Sequence, residues 1–162
     1  MTGKSKTLFA NKVVAVTGGS GFIGSHLSRE LLNLGIKKLV ILDNLVYGSK
    51  RNLPAGDSRI QFIQFRLGTD KPELLDRYLK NVDYLFHLAA EKHNQSKHDP
   101  ERVQHANIFG TYYLLRSAAK NKIKKVVFFS SVRAYGRTQK PKLKESDPLR
   151  PTTIYGVTKA AG

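Results

Sequence analysis

The chain has 162 residues, 40% hydrophobic and 25% charged, which suits one domain with a sizeable core. It holds no cysteine, which excludes disulfides, thiolate metal sites and a cysteine nucleophile, and no window approaches the roughly 18–20 consecutive apolar residues of a membrane span. A net charge of +16 points to anionic partners, but the basic clusters "KNKIKK" (120–125) and "RTQKPKLK" (137–144) lack the interleaved aromatics of a single-strand binder, so nucleic acid is not the expected partner; a nucleotide ligand needs only part of the charge.

Residues 1–11 are basic and polar, without the apolar stretch of a secretory signal, and read as a flexible N-terminus ahead of one domain over 12–162. A cytoplasmic location fits the absence of cysteine. "KVVAVTG" (12–18) is a β-branched run ending in glycine and predicts a buried strand. In "FIGSHLSRELLNLG" (22–35), Ile23, Leu27, Leu31 and Leu34 recur at helical spacing, with Gly35 as the stop. "KLVILD" (38–43) and "IQFIQF" (60–65) predict the second and third strands, and "PELLDRYLKN" (72–81) a helix with proline in its first turn. "DYLFHLAA" (83–90) predicts a fourth strand. A long helix over 100–122 follows, with Gly110 as its weak point, and then "KKVVFFSS" (124–131) as a fifth strand. "TTIYGVTKAAG" starts a last helix. Alternating helices and near-continuous apolar strands predict an α/β fold, a parallel sheet covered on both faces.

"TGGSGFIG" (17–24) joins the first strand to the first helix. Gly18, Gly21 and Gly24 suit a tight turn, close approach of backbone to a pyrophosphate, and close helix packing. The helix N-terminus adds free N–H groups and a positive dipole end. Asp43 ends the second strand, where an acid accepts hydrogen bonds from an adenosine ribose and repels a 2′-phosphate, favouring NAD over NADP. Lys50 and Arg51, in the next loop, work against that preference.

"VTGGSGFIG", "LDNLVYGSKRNL", "HLAA", "NIFGTYYLL", "VVFFSSVRAYG" and "YGVTK" together resemble the extended short-chain dehydrogenases/reductases, the NAD-dependent epimerases and dehydratases of nucleotide sugars. The resemblance runs from about residue 12 to the end. It implies a Rossmann-type doubly wound sheet, NAD as cofactor, a UDP-sugar or similar substrate, and a homodimeric full-length form. It implies that Gly18, Gly21, Phe22, Ile23 and Gly24 form the pyrophosphate turn and that Asp43 and Asn44 hold the adenosine ribose. Leu88, Ala89 and Ala90 would line the cofactor cleft, Asn107 would support it from the long helix, and Ser130 would end the fifth strand beside the nicotinamide. Ser131, Tyr155 and Lys159 match the family's catalytic residues, with no metal. A tyrosine with a pKa of about 10 needs about 4 kcal/mol of phenolate stabilisation to act as a base near pH 7. Lys159, one turn away on the same helix face, and the positive nicotinamide are its expected sources, and Lys159 also holds the nicotinamide ribose. Tyr155 then takes a sugar hydroxyl proton while Ser131 hydrogen-bonds the reacting oxygen.

Departures from the family pattern narrow this. Dehydratases carry an Asp-Glu pair where Val132 and Arg133 stand, and decarboxylases a glutamate at Arg133. Neither residue here suits elimination, so an epimerase ranks ahead of a dehydratase or reductase. Asp70, in "RLGTD", is the candidate for an adenine-binding acid. His93 and His98 read as loop histidines. Family members run well beyond this length, which implies a chain truncated before the final strands and the substrate domain. Residues 153–162 fall short of the roughly 12–15 that an isolated helix needs, predicting a frayed turn and a chain that binds NAD weakly and turns over nothing alone. The alternative is a non-catalytic NAD-binding scaffold or sensor.

Overall fold

Adjacent residues along each strand face opposite sides of a sheet, and here both sides are covered. In a computed structural model, which describes residues 8–138 and 141–162, the strands are β1 (Val13–Thr17), β2 (Lys38–Asp43), β3 (Ile60–Gln64), β4 (Tyr84–His87) and β5 (Lys125–Phe128). The expected flexible N-terminus falls largely outside the described residues. The sheet order is β3-β2-β1-β4-β5, and every pairing is parallel. Helices α1 (Phe22–Asn33), α2 (Leu74–Tyr78), α3 (Pro100–Gln104), α4 (Gly110–Lys120) and α5 (Ile154–Ala161) complete it.

Ala15, Val40, Leu42 and Leu85 pack with Leu75 of α2, with Leu79 just after it, and with Leu114 and Ala118 of α4. Val14, Val16, Leu39 and Ile41 pack on the opposite face with Leu31 and Leu32 of α1. The predicted doubly wound sheet is therefore present. After β3 the chain crosses to the far side of β1, so β1 and β4 border the switch point where such sheets bind ligands.

Several predicted boundaries shift. The helix over 72–81 contracts to α2, and β4 and β5 stop at His87 and Phe128 because the next residues turn to line a cleft. The helix over 100–122 has three parts: α3, a π-helical stretch His105–Phe109, and α4. Gly110 is a packing point, since a Cβ there would lie 2.8 Å from Leu67 Cβ and 3.0 Å from Gly68 N. The last helix is not a frayed turn. Thr153 Oγ1 caps α5 by accepting the Gly156 N–H at 3.0 Å, and Gly156, Thr158 and Lys159 are buried. Packing against α3 and the 3-10 turn Val132–Ala134 supplies what its eight residues lack. Among the described residues no helix is long and apolar enough to cross a membrane.

Candidate active site

A cleft of about 420 Å³ opens at the C-terminal ends of β1, β2 and β4. Its floor is the glycine turn. Gly18 has φ +69°, and a Cβ there would meet Ala89 N at 2.8 Å. At Gly24 a Cβ would lie 2.1 Å from Gly18 O, so the first turn of α1 rests directly on the turn that feeds it. Gly21 is the N-cap and makes no side-chain cap, and no acidic residue sits in the first turn of α1. The positive end of this helix and its free N–H groups are thus uncompensated, a seat for an anion. Phe22 and Ile23 line the cleft and are largely exposed.

Asp43 is buried at the end of β2 and organises both neighbouring loops. Its Oδ2 accepts the Ser20 N–H at 2.9 Å and its Oδ1 the Leu45 N–H at 2.8 Å. Asn44 lines the cleft beside it, its Oδ1 accepting the Val46 N–H at 3.0 Å. Leu88, Ala89 and Ala90 form the β4 wall of the cleft. Asp70 does not join them. It is exposed, its carboxylate accepts the Arg66 N–H at 2.7 Å, and Phe65 and Leu67 occupy the wall after β3 instead.

Tyr155 and Lys159 line the same cleft from α5, and Ser130 does so from the end of β5, donating its hydroxyl to Lys159 O at 2.9 Å. Ser131 is not among the lining residues. Its Oγ accepts the Arg133 N–H at 3.3 Å and caps the 3-10 turn, leaving its own proton free to donate. The Lys159 ammonium stands 4.4 Å over the Phe128 ring, and among the described residues no carboxylate pairs with it. With only 4% of the residue exposed, burial pulls its pKa from 10.5 down to about 8. Asn107, on the π-helical stretch, is a buried clamp. Its Oδ1 accepts the Glu91 N–H at 2.8 Å, and its Nδ2 donates to Thr158 Oγ1 at 3.1 Å, tying the β4 wall to α5.

Sequence reasoning missed a buried chain behind the cleft. The Ala89 N–H donates to Thr17 Oγ1 at 3.1 Å, and the Thr17 hydroxyl donates to His87 Nδ1 at 2.7 Å, because Thr111 uses its own proton elsewhere and can only accept from the other ring nitrogen. His87 Nε2 then carries the ring proton and donates to Thr111 Oγ1 at 2.9 Å, and Thr111 donates to Asn107 O at 2.7 Å. Burial, reinforced by the charge of Lys159, pushes the His87 pKa from 6.5 down to about 3, so the ring is neutral. Its signal was the first letter of "HLAA". Glu91 was also missed; it lies immediately after that motif, is buried, and lines the cleft. His93 packs edge-on against Tyr155 at 6.0 Å between ring centroids. Burial, then the charges of Arg133 and Lys97, lower its pKa. His98 is exposed and does not line the cleft. Among the described residues no cluster suits a metal.

A glycine-turned cleft at the switch point of a doubly wound parallel sheet, with an acid closing the second strand, marks a Rossmann-type nucleotide-binding protein. A tyrosine and a lysine one helical turn apart line the same cleft. The chain belongs to the NAD-dependent epimerase/dehydratase family, whose model matches residues 14–162. It is 35% identical over 151 residues to a UDP-glucose 4-epimerase of Halalkalibacterium halodurans, covering 91% of this chain and 43% of that relative. The fold is similar to that of a UDP-N-acetylglucosamine 4-epimerase from Methanobrevibacter ruminantium M1 in complex with UDP-N-acetylmuramic acid, with TM-score 0.86, 37% identity, and coverage of 94% of this chain and 48% of that one. It is similar also to DesIV, a dTDP-glucose 4,6-dehydratase from Streptomyces venezuelae with NAD and TYD bound, with TM-score 0.86, 34% identity, and coverage of 92% and 48%. The chain spans about half the length, or less, of these relatives.

Proposed function

We propose that this chain is the NAD-binding and proton-transferring part of a nucleotide-sugar epimerase that works by transient hydride transfer at a sugar hydroxyl carbon. The observation that carries the reading is that Tyr155 and Lys159 line the same cleft as the glycine turn. The residues fit NAD. The glycines let the turn pack tightly against the β4 wall and the start of α1, the α1 N-terminus carries no acid, and the cleft volume lies in the range of small-ligand sites. Gly18, Gly21, Phe22, Ile23 and Gly24 would seat the pyrophosphate, and Asp43 and Asn44 the adenosine ribose. Ser130, Tyr155 and Lys159 would face the nicotinamide end. When bound, NAD supplies the acceptor and donor of the hydride.

The chain's residues manage the proton. Tyr155 takes it from the sugar hydroxyl as a phenolate. Lys159, a cation held in a nearly dry place, stabilises that phenolate far more than an exposed ammonium would. Ser131 donates its free proton to the same sugar oxygen, and Asn107 holds α5 through Thr158. Elimination needs a further acid or base. Val132 has no titratable group and Arg133 does not give up its proton, which favours epimerisation over dehydration. Relatives named for UDP-glucose support a UDP-sugar substrate. A homodimeric full-length form is part of the reading, supported by exposed Phe109 before α4, Tyr112 on α4 and Val157 on α5, and a cytoplasmic location is part of it too.

Calorimetric titration of the chain with NAD, with NADP, and of Asp43→Ala with NAD tests it. Saturable NAD binding is expected, weaker with NADP and with the variant. A folded chain that does not bind NAD overturns it.

A further inference from the structure

The glycine turn after β1 lies between the loops that follow β2 and β4, because those strands flank β1 in the sheet. A side-chain hydrogen bond joins the two loops. Tyr47, after β2, donates its hydroxyl to Glu91 Oε2, after β4, at 3.0 Å. Both residues line the cleft, as does Lys92, whose ammonium stands 4.0 Å over the Tyr47 ring.

The two ends of the bridge differ. Glu91 is 3% exposed and fixed from behind, with Arg102 Nε and Nη2 donating to its Oε1 at 3.0 and 2.8 Å. Its backbone N–H is held by Asn107. The carboxylate is therefore neutralised and oriented without Tyr47. Tyr47 is 42% exposed, and its hydroxyl has water as an alternative partner. Burial, then the bond to Glu91, raises the Tyr47 pKa, so the hydroxyl stays a donor at neutral pH. The phenol thus contributes little to charge balance and mainly ties one loop to the other beside the anion seat of α1.

We propose that Tyr47 and Glu91 form a clasp over the pyrophosphate segment of the bound dinucleotide and slow its release. The inference rests on the reading of the cleft as an NAD site and adds residues outside the glycine turn to it. Glu91 with Arg102 is the fixed half, Tyr47 the opening half, and Lys92 offers a cation to the phosphates where the halves meet. The bond opens for the dinucleotide to enter and opens again for it to leave. Retention suits a reaction in which the cofactor ends in the state in which it began, because no exchange is needed between turnovers.

The test is the dissociation rate of NADH, followed by stopped-flow fluorescence as excess NAD displaces it, in the wild-type chain and in Tyr47→Phe. That variant keeps the ring and its contact with Lys92 and deletes only the hydroxyl. Dissociation should speed up by about tenfold or more, with association unchanged or faster. An unchanged dissociation rate overturns the clasp. So does slower association at constant dissociation, because Tyr47 then builds the site without closing it. If Tyr47→Phe does not fold, Glu91→Gln takes its place: it keeps an acceptor for the hydroxyl but loses the ionic anchor to Arg102, and faster release is again expected. A wild-type chain that binds no NADH refutes the cofactor reading as well as the clasp. One that binds NADH and releases it equally fast with or without the hydroxyl refutes the clasp alone.

Discussion

Replacing Lys159 by methionine should make the protein more stable at neutral pH while disabling its proposed chemistry. Lys159 is 4% exposed, and burial holds its pKa at about 8 against 10.5 for the ordinary side chain. The unfolded chain thus keeps a proton between pH 8 and 10.5 that the folded chain has lost, so stability rises with pH across that window. Below pH 8 both states carry the charge, and the folded state bears the full cost of burying it, about 3 kcal/mol at 1.36 kcal/mol per unit. Methionine fills similar space without the charge but loses the contact with Phe128. The net gain at pH 7 should be about 2–3 kcal/mol, raising the melting temperature by roughly 4–12 °C. Denaturant unfolding of both proteins at pH 7, 9 and 10.5 measures it. The advantage of Lys159→Met should shrink through the window and be gone at its top. A variant less stable at pH 7, or a difference that does not change with pH, would refute the argument that the lysine is stored as a strained charge. Such storage is a common feature of sites where function and stability conflict.

Gly24→Ala should cost at least about 2 kcal/mol and abolish NAD binding, because its Cβ would meet backbone on the adjoining turn. Gly35→Ala, at φ +77° with open space around it, should cost about 1–2 kcal/mol and leave NAD affinity alone; thermal melts and calorimetry on the pair separate packing from conformation. With the His87 pKa at about 3, the unfolded chain binds a proton below pH 6.5 that the folded chain refuses. Stability should therefore fall by about 4 kcal/mol as pH drops from 6.5 to 3, and His87→Phe should flatten that slope in denaturant titrations. Arg133→Gln should leave NAD affinity within about twofold by calorimetry, since Arg133 is exposed and does not line the cofactor cleft.

Much of the site was legible because its determinants are local. The glycine spacing, the strand before it and the helix after it lie within one short stretch, and Asp43 is marked by the end of an apolar run. Tyr155 and Lys159 are paired by helical geometry alone. Asp70 lies outside the cleft lining, because an acid's sequence place after β3 does not say where its side chain turns, and here it accepts the Arg66 N–H in its own turn. The histidines differ: His93 and His98 lie in the loop where the sequence put them, and the buried one was overlooked. His93 and His98 drew attention as polar residues in a loop, while His87 was hidden inside a strand, where alternation alone assigns a residue to the core.

The sequence by itself determined the alternation of helices and strands, the glycine turn after β1 and the Tyr155–Lys159 pair, because each follows from backbone periodicity and side-chain chemistry over a few residues. Only the tertiary structure decided that Thr17 meets His87 across 70 positions, that Tyr47 meets Glu91 across 44, and that Asn107 meets Thr158 across 51. Those contacts depend on which strands lie side by side and how far the long helix is unwound at His105–Phe109. The burial of Lys159 belongs with them. A lysine on a short helix is a solvated cation until Phe128 from a distant strand closes over it, and that closure changes its charge chemistry.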